Sequence, residues 1–167
     1  MLQKLKNKIK DQRGLTLIEL LAVIVILGII AAIAIPSIMG LIDNSKKDAH
    51  VANAQQMINS TKIAVTSDKS LLPASNKTKL INLAYLEEEG FVEVIKDPDN
   101  TTGYKKQAKS AADITTEPTN DSYVLIINTN DKLSYKVKLV NQKRGVQTTD
   151  KAASGESTLS RKDVIDN

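Results

Sequence analysis

The chain has 167 residues, a formal net charge of +4 and no cysteine. This length allows one modest globular domain plus one membrane-length helix. The lack of cysteine excludes structural disulfides and cysteine-based metal sites. The positive charge does not by itself indicate a nucleic-acid ligand. The first fourteen residues hold five basic residues and one acidic residue, and the rest of the chain is formally neutral.

The first fourteen residues form a basic leader that ends in glycine. Its basic residues are Lys4, Lys6, Lys8, Lys10 and Arg13, and Gly14 follows them directly. Basic residues beside a first membrane segment keep that end of the chain in the cytoplasm. We therefore expect the leader to set the orientation, with residues from about Ser37 onward on the outer side.

A long apolar run follows the leader. From Leu15 to Ile35 the chain runs 21 residues with a single charge, Glu19. As a helix this run spans roughly 31 Å, close to the thickness of a bilayer core. A charge near the centre of a spanning helix costs about 2.5–3.5 kcal/mol, which makes Glu19 a functional candidate. The alternative is that Glu19 lies near enough to the helix end to reach the lipid headgroups.

The residues Arg13-Gly14-Leu15-Thr16-Leu17-Ile18-Glu19 resemble the processing site of type IV prepilins and the related pseudopilins. In that family a basic leader ends in glycine, and glutamate is the fifth residue after the cleavage point. Gly28 and Pro36 also stand where family members commonly carry glycine and proline. Leu15 departs from the more usual phenylalanine. The resemblance covers about the first 40 residues.

The resemblance implies cleavage by a prepilin peptidase between Gly14 and Leu15 and N-methylation of Leu15. Glu19 of one subunit would then pair with the Leu15 amine of its neighbour during assembly, which compensates a carboxylate that is costly to bury alone. The precursor is expected to be a single-pass plasma membrane protein with a cytoplasmic N-terminus, and the product a cell-surface filament. The implied partners are copies of itself and other pilins, membrane lipid before assembly, and the assembly platform with its ATPase machinery.

Two other readings of the N-terminus stay open. One is secretory cleavage after the small-x-small sequence Ala32-Ile33-Ala34, and the other is an uncleaved anchor. Many Gram-negative pilins also close a C-terminal loop with a disulfide. A Gram-positive source or a pseudopilin-like member therefore fits this cysteine-free chain more easily.

The helix is expected to run from about Thr16 to about Thr66, with a kink at Pro36. Gly28 and Ala32 form a small-xxx-small step that favours close helix packing. Two stripes at three- and four-residue steps mark the second half: Ile38, Leu41, Ile42, Ser45, Ala49 and Ala52, then Val51, Ala54, Ile58, Thr61 and Val65. The solvated face is expected to hold Asp43, Lys46, Lys47, Asp48, Asn53 and Gln55.

The rest of the chain predicts a small α+β head, so the fold class is pilin-like α+β with a long N-terminal helix on a small antiparallel sheet. We expect a short helix over Lys79–Glu89, a hairpin of Tyr123–Asn128 with Leu133–Val140, and an edge strand within Gly145–Thr149. The expected divisions are 1–14 leader, 15–36 membrane and assembly helix, 37–67 amphipathic helix, 68–150 head and 151–167 polar, flexible or weakly docked tail.

The remaining candidates for chemistry are weak. His50, the single histidine, is placed on the solvated helix face without a second metal ligand, and Asp97, Asp99 and Asn100 form either a proline-nucleated turn or a calcium loop. Five basic residues lie on and around the predicted hairpin: Lys132, Lys136, Lys138, Lys143 and Arg144. They form either a solvated strand face or a basic surface that contacts DNA. No metal site is assigned, no cofactor is expected, and no nucleophile–base pair predicts an enzyme.

The sequence thus predicts a structural subunit of a type IV pilus, either the major one or a minor one. A pseudopilin of a type II secretion or competence DNA-uptake system is the first alternative. A monomeric, membrane-tethered binding module is the second. The sequence does not distinguish motility, adhesion, secretion and DNA uptake.

Overall fold

The computed structural model describes the backbone of residues 2–167 and the side chains of residues 16–167. The first helix, α1, spans Leu2–Ser67 and contains Pro36. The chain divides into two compact units, one up to Asp43 and one from Asn44 to Asn167. The C-terminal end of the predicted helix is confirmed to within one residue.

The second unit is built on an antiparallel sheet. Among the described residues seven strands take part, in the order β2-β1-β3-β4-β5-β7, and β6 pairs with β4 outside this path. Their bounds are β1 Thr78–Asn82, β2 Ala111–Asp113, β3 Tyr123–Thr129, β4 Lys132–Val140, β5 Arg144–Val146, β6 Ser154–Gly155 and β7 Val164–Asp166. A short helix, α2, spans Leu83–Glu88, and three-residue 3₁₀ turns lie at Lys69–Leu71, Glu156–Thr158 and Arg161–Asp163. The predicted α+β class is confirmed.

The C-terminal half of α1 packs on this sheet through one face. Its buried residues recur at three- and four-residue steps: Ala54, Met57, Ile58, Thr61, Ala64 and Val65. They join buried residues of β1, β3, β4, β5 and β7 in the main core. The second predicted stripe is therefore the core face, although Val51 is only half-buried. The Thr61 hydroxyl donates to the Met57 carbonyl at 2.9 Å, so it is buried without being left unpaired.

The predicted hairpin is confirmed as β3 and β4. Thr129 pairs with Lys132, which leaves Asn130 and Asp131 as a two-residue loop. Both loop residues have positive φ, 50° and 63°, as a type I′ turn requires. Asparagine and aspartate tolerate that conformation better than most residues, and the local sequence therefore specifies the turn.

The helix predicted over Lys79–Glu89 is wrong in its first part. Residues 78–82 form β1, which pairs with both β2 and β3, and α2 begins only at Leu83. Asn82 marks the change because its side-chain oxygen accepts the Tyr85 N–H at 3.0 Å and caps α2. Leu80 and Ile81 are both buried, in two different clusters, as expected of a strand covered on both faces.

The predicted edge strand and polar tail are also corrected. β5 lies between β4 and β7 and is not an edge. A Cβ on Gly145 would lie 2.5 Å from the Leu139 carbonyl oxygen, so glycine is needed for this pairing.

Residues 151–167 contribute β6 and β7, and Ala153, Ser154 and Val164 are buried. The predicted turn at 97–100 is present, with the Asn100 N–H donating to the Asp97 carbonyl at 3.1 Å.

Candidate functional site

The first candidate site is the apolar part of α1 in the N-terminal unit. From Leu17 to Ile42 its large apolar side chains are exposed, most of them by more than half. Each gains about 1.5–3 kcal/mol on full burial, so this surface strongly favours a nonaqueous environment or a protein partner. By length and composition this helix can cross a membrane.

Glu19 lies on this apolar helix as an exposed residue. It is the only charged residue between Leu15 and Ile42. Any partner that covers the helix must either neutralise the carboxylate or leave it at the margin of the contact. The predicted processing residues Gly14 and Leu15, and the leader residues Lys4, Lys6, Lys8, Lys10 and Arg13, lie outside the residues whose side chains are described.

The predicted packing residues keep an open surface. Gly28 and Ala32 both lie on exposed helix, and no described atom beyond the adjoining helical backbone comes within 4 Å of where a Gly28 Cβ would be. Pro36 is inside α1, which continues beyond it. Close packing at the Gly28–Ala32 step and a kink at Pro36 stay predictions.

The second candidate site is a buried polar cluster in the C-terminal unit. It joins three parts of the chain: α1 through His50 and Asn53, the turn at 97–104 through Asp97, Asp99 and Tyr104, and the β4–β5 connection through Asn141 and Arg144. We call these seven residues the polar cluster. The side chains of His50, Asp97, Asp99 and Arg144 are all 3% exposed or less.

Asp99 and Arg144 form the charged centre of the polar cluster. The Arg144 Nε donates to Oδ2 of Asp99 at 2.7 Å, and a terminal nitrogen donates to Oδ1 at 2.6 Å. These hydrogen bonds from Arg144 hold the pKa of Asp99 well below its usual range, against the effect of burial. Asp99 is therefore ionised at neutral pH, and the buried pair carries no net charge.

His50 connects Asp99 to Tyr104. Its Nε2 lies 3.0 Å from Oδ2 of Asp99, and its Nδ1 lies 2.8 Å from the Tyr104 hydroxyl. The Asn53 amide donates to that hydroxyl at 2.9 Å. Because the ionised Asp99 carboxylate can only accept, Nε2 of His50 donates to it, and Nδ1 of the neutral ring accepts the Tyr104 hydroxyl hydrogen. Burial raises the pKa of Tyr104, which keeps the hydroxyl protonated. The hydrogen-bond pattern thus assigns the His50 ring hydrogen to Nε2, which donates to Asp99.

Asp97 holds the turn in place. Its carboxylate accepts the Asn141 amide at 2.8 Å and the backbone N–H groups of Asp99 and Thr101 at 3.0 Å each, and it also accepts the Thr101 hydroxyl. Burial favours a higher pKa for Asp97, but these donors outweigh it and the pKa is lowered. The two carboxylates thus lie close together because both are fully supplied with donors.

The structure corrects the sequence interpretation of His50. It is fully buried, not solvated, and it has two acidic neighbours within metal-ligand distance of one another, Asp97 and Asp99. A signal was available in the sequence, since His50 precedes the buried Ala54 by one helical turn. The oxygens of both carboxylates already accept hydrogen bonds, however, and Arg144 balances the charge of Asp99. The hydrogen bonds and the ion pair of the polar cluster therefore serve to stabilise the fold.

The structure also removes two residues from the predicted basic surface. Lys138 is 1% exposed, and its Nζ donates to the Lys151 carbonyl at 2.6 Å. Burial lowers the pKa of Lys138. Arg144 is 2% exposed and belongs to the polar cluster. The prediction that all five residues share one surface is therefore wrong. Lys132, Lys136 and Lys143 remain exposed, and DNA contact by them stays a prediction.

Comparisons with known proteins agree with the first site. Residues 9–35 match the model of the prokaryotic N-terminal methylation motif. The chain is 31% identical over 107 residues to a protein of Pseudomonas aeruginosa described as type II secretion system core protein G. This alignment covers 59% of the chain and 66% of the relative, just under two thirds of its length. No solved structure gives a significant match.

The motif and this relative support membership of the chain in the type IV pilin and pseudopilin family. The exposed apolar helix and the α+β unit agree with that class of protein. The apolar helix and the motif also suggest a precursor anchored in a membrane.

Proposed function

We propose that the chain is a structural subunit of a type IV pilus. It would be cut between Gly14 and Leu15, methylated at Leu15 and polymerised through α1. The observation that carries this proposal is the exposed apolar surface from Leu17 to Ile42, which contains Glu19 as its only charge. In a filament the same surface leaves lipid and is covered by neighbouring helices.

Glu19 supports the assembly step through its charge. A carboxylate within an apolar contact is costly unless an opposite charge meets it. The amine of Leu15, created by processing, supplies that charge on a neighbouring copy. The pair favours one axial position of each helix against the next, and its main effect is on specificity.

The relative described as type II secretion system core protein G favours a second candidate, a pseudopilin of a secretion system. Both candidates use the same helix and the same processing. They differ in the length and location of the filament. Electron microscopy of cells with and without this chain distinguishes them, because a pilus subunit produces long surface fibres that disappear with its gene.

The test of assembly is Glu19→Ala in the full-length chain, with Glu93→Ala as the control. Glu93 is an exposed carboxylate of the C-terminal unit, so the control makes the same chemical change elsewhere. We expect Glu19→Ala to leave the amount of membrane-bound subunit unchanged and to abolish sheared filaments, whereas Glu93→Ala assembles normally. Normal assembly of Glu19→Ala contradicts the proposal, as does a filament subunit that retains residues 1–14.

A further inference from the structure

Strand β4 has one side that is paired over only part of its length. On its first side, β3 pairs with residues 132–138. On its second side, β6 pairs with residues 136–137 and β5 pairs with residues 139–140. Among the residues that the structure describes, no strand pairs with residues 132–135 on this second side. We call the unpaired side of residues 132–135 the open edge.

The open edge exists because β6 ends after two residues. The chain leaves the strand conformation after Gly155 and forms the 3₁₀ turn Glu156–Thr158. A groove of about 430 Å³ follows the open edge instead, and it is lined by Lys62, residues 133–136 and residues 155–157. The sheet thus leaves a space beside β4 that its own strands do not fill.

The backbone of Leu133 and Tyr135 directs its hydrogen-bonding groups to the open edge. In a hairpin with a two-residue loop, the residues that flank the loop form a hydrogen-bonded pair, and such pairs alternate along the strands. Leu133 lies opposite Asn128, whose N–H donates at 3.0 Å to the Lys77 carbonyl, away from β4. Leu133 and Tyr135 therefore each present an N–H and a C=O to the groove. An extended peptide supplies both acceptors and donors to such an edge, whereas the phosphates of DNA only accept.

The side chains of β4 beside the groove form two different faces. Leu133 and Tyr135 are half-buried and pack against the main core. Lys132, Ser134 and Lys136 alternate with them and are exposed. Side chains alternate along an added strand as well. Every second residue of that strand would therefore meet an apolar surface, and the residues between them would lie on the face of the two lysines.

The charge beside the groove favours an acidic partner. Lys62 already has a carboxylate, since it lies 2.5 Å from Glu156. Neither Lys132 nor Lys136 forms an ion pair with any described residue. Lysines on an exposed edge discourage pairing with most strands, but opposite charges on neighbouring strands stabilise the pair. The first fourteen residues of this chain are basic, so they do not fit the open edge.

We propose that the open edge of β4 binds an extended acidic segment of another protein. The segment pairs antiparallel to β4, in line with β6, and its backbone bonds to Leu133 and Tyr135. Its apolar residues lie against the side chains of these two residues. Its carboxylates alternate with the apolar residues and lie near Lys132 and Lys136. This binding goes beyond the proposed function, because it uses neither the apolar part of α1 nor assembly.

Peptide binding tests the backbone pairing. The probe is a fluorescein-labelled peptide, Glu-Val-Glu-Val-Glu, whose fluorescence anisotropy is measured as the full-length chain in detergent is added at low salt. The valines would lie opposite Leu133 and Tyr135, so their N–H groups would point to β4. We expect N-methylation of both valines to weaken binding at least about tenfold. N-methylation of two glutamates is the matched control and should leave binding unchanged, and Lys-Val-Lys-Val-Lys should not bind.

Charge reversal on the protein tests the selection of an acidic partner. One variant combines Lys132→Glu with Lys136→Glu. The control combines Lys69→Glu with Lys77→Glu, which makes the same change of net charge at exposed residues outside the groove. We expect the first variant to lose the acidic peptide by about tenfold and to bind the basic peptide in its place. Binding of the basic peptide also shows that this variant is folded. The control should keep the original preference.

Several results overturn the inference. They are a lack of binding by the acidic peptide, equal binding after N-methylation of the valines, and an equal loss in the two charge variants. A DNA duplex that displaces the peptide and depends on Lys132 and Lys136 assigns the lysines to DNA instead. Dimers of the solubilised chain that block the peptide assign the open edge to a second copy. The filament test with Glu19→Ala is separate, so either proposal can fail without the other.

Discussion

Arg144 and Asp99 face each other through two parallel hydrogen bonds of 2.7 and 2.6 Å, and both side chains are 3% exposed or less. Arg144 is on β5 and Asp99 is in the turn after α2, 45 residues earlier. His50 brings α1 to the same carboxylate. The ion pair together with His50 thus joins the long helix, the turn and the sheet.

The first prediction concerns the loss of one partner of this pair. Asp99→Ala leaves the Arg144 guanidinium buried without its carboxylate, and removal of one partner of a buried pair costs about 3–5 kcal/mol. We expect a fall of that size in the free energy of unfolding, measured by urea denaturation of the full chain in detergent. Asp48→Ala is the control because its pair with Arg161 is exposed, and it should change stability little. Equal effects of the two substitutions contradict the structural role.

The second prediction concerns the stability of the fold at acidic pH. The pKa of Asp99 and that of Asp97 are lower in the folded chain than in the unfolded chain. Each carboxylate therefore stabilises the fold fully above the unfolded value, about 3.9, and the contribution is lost as pH falls below it. Thermal unfolding followed by circular dichroism should show a steep loss of stability below about pH 4. The loss should be shallower in Asp99→Asn, and an equally steep loss in that variant argues against Asp99 as its source.

The third prediction concerns calcium. The carboxylate oxygens of Asp97 and Asp99 already accept hydrogen bonds, and Arg144 balances the charge of Asp99. An ion that bound the folded state would raise the unfolding temperature with its concentration. We expect the unfolding temperature of the full chain to be the same with excess calcium and with a chelator. A rise with calcium that the chelator reverses would show that the turn binds the ion despite its internal donors.

The fourth prediction concerns β5. A Cβ on Gly145 would lie 2.6 Å from the Val140 Cα, a backbone contact that cannot move aside cheaply. Forcing such an overlap typically costs about 1–3 kcal/mol. Gly145→Ala should lower stability by that order in the same urea assay. Gly155→Ala is the matched control, since its Cβ would lie at an ordinary 3.5 Å from Thr158. A Gly145→Ala variant as stable as the control would place β5 differently.

The sequence predicted best where the information is local. The leader, the apolar run and Glu19 are read directly along the chain, and the Asn130-Asp131 turn specifies its hairpin through two adjacent residues. The core face of α1 followed from the three- and four-residue spacing of Ala54, Ile58 and Thr61. These features depend on neighbours within one or two turns, which periodicity describes well.

The residues that the sequence places wrongly owe their positions to contacts with distant parts of the chain. Arg144 is buried because Asp99 lies opposite it. Lys138 is buried because its Nζ donates to the carbonyl of Lys151, thirteen residues later in the sequence. A charged residue alone gives no sign of such a partner, so the sequence predicts a surface position for both. The sequence predicts helix at residues 79–82, where the structure has strand, because a short apolar run fits either period and only the pairing with β3 decides.

The position of β7 in the sequence has a consequence for export. β5 pairs with β4 through a short connection, but its other neighbour is β7, which comes about twenty residues later. If the C-terminal unit is exported as proposed, the free edge of β5 exposes unpaired backbone groups to other strands until residues 164–166 have crossed the membrane. An interruption of translocation at that stage should yield a subunit that sticks to others through its sheet instead of its helix.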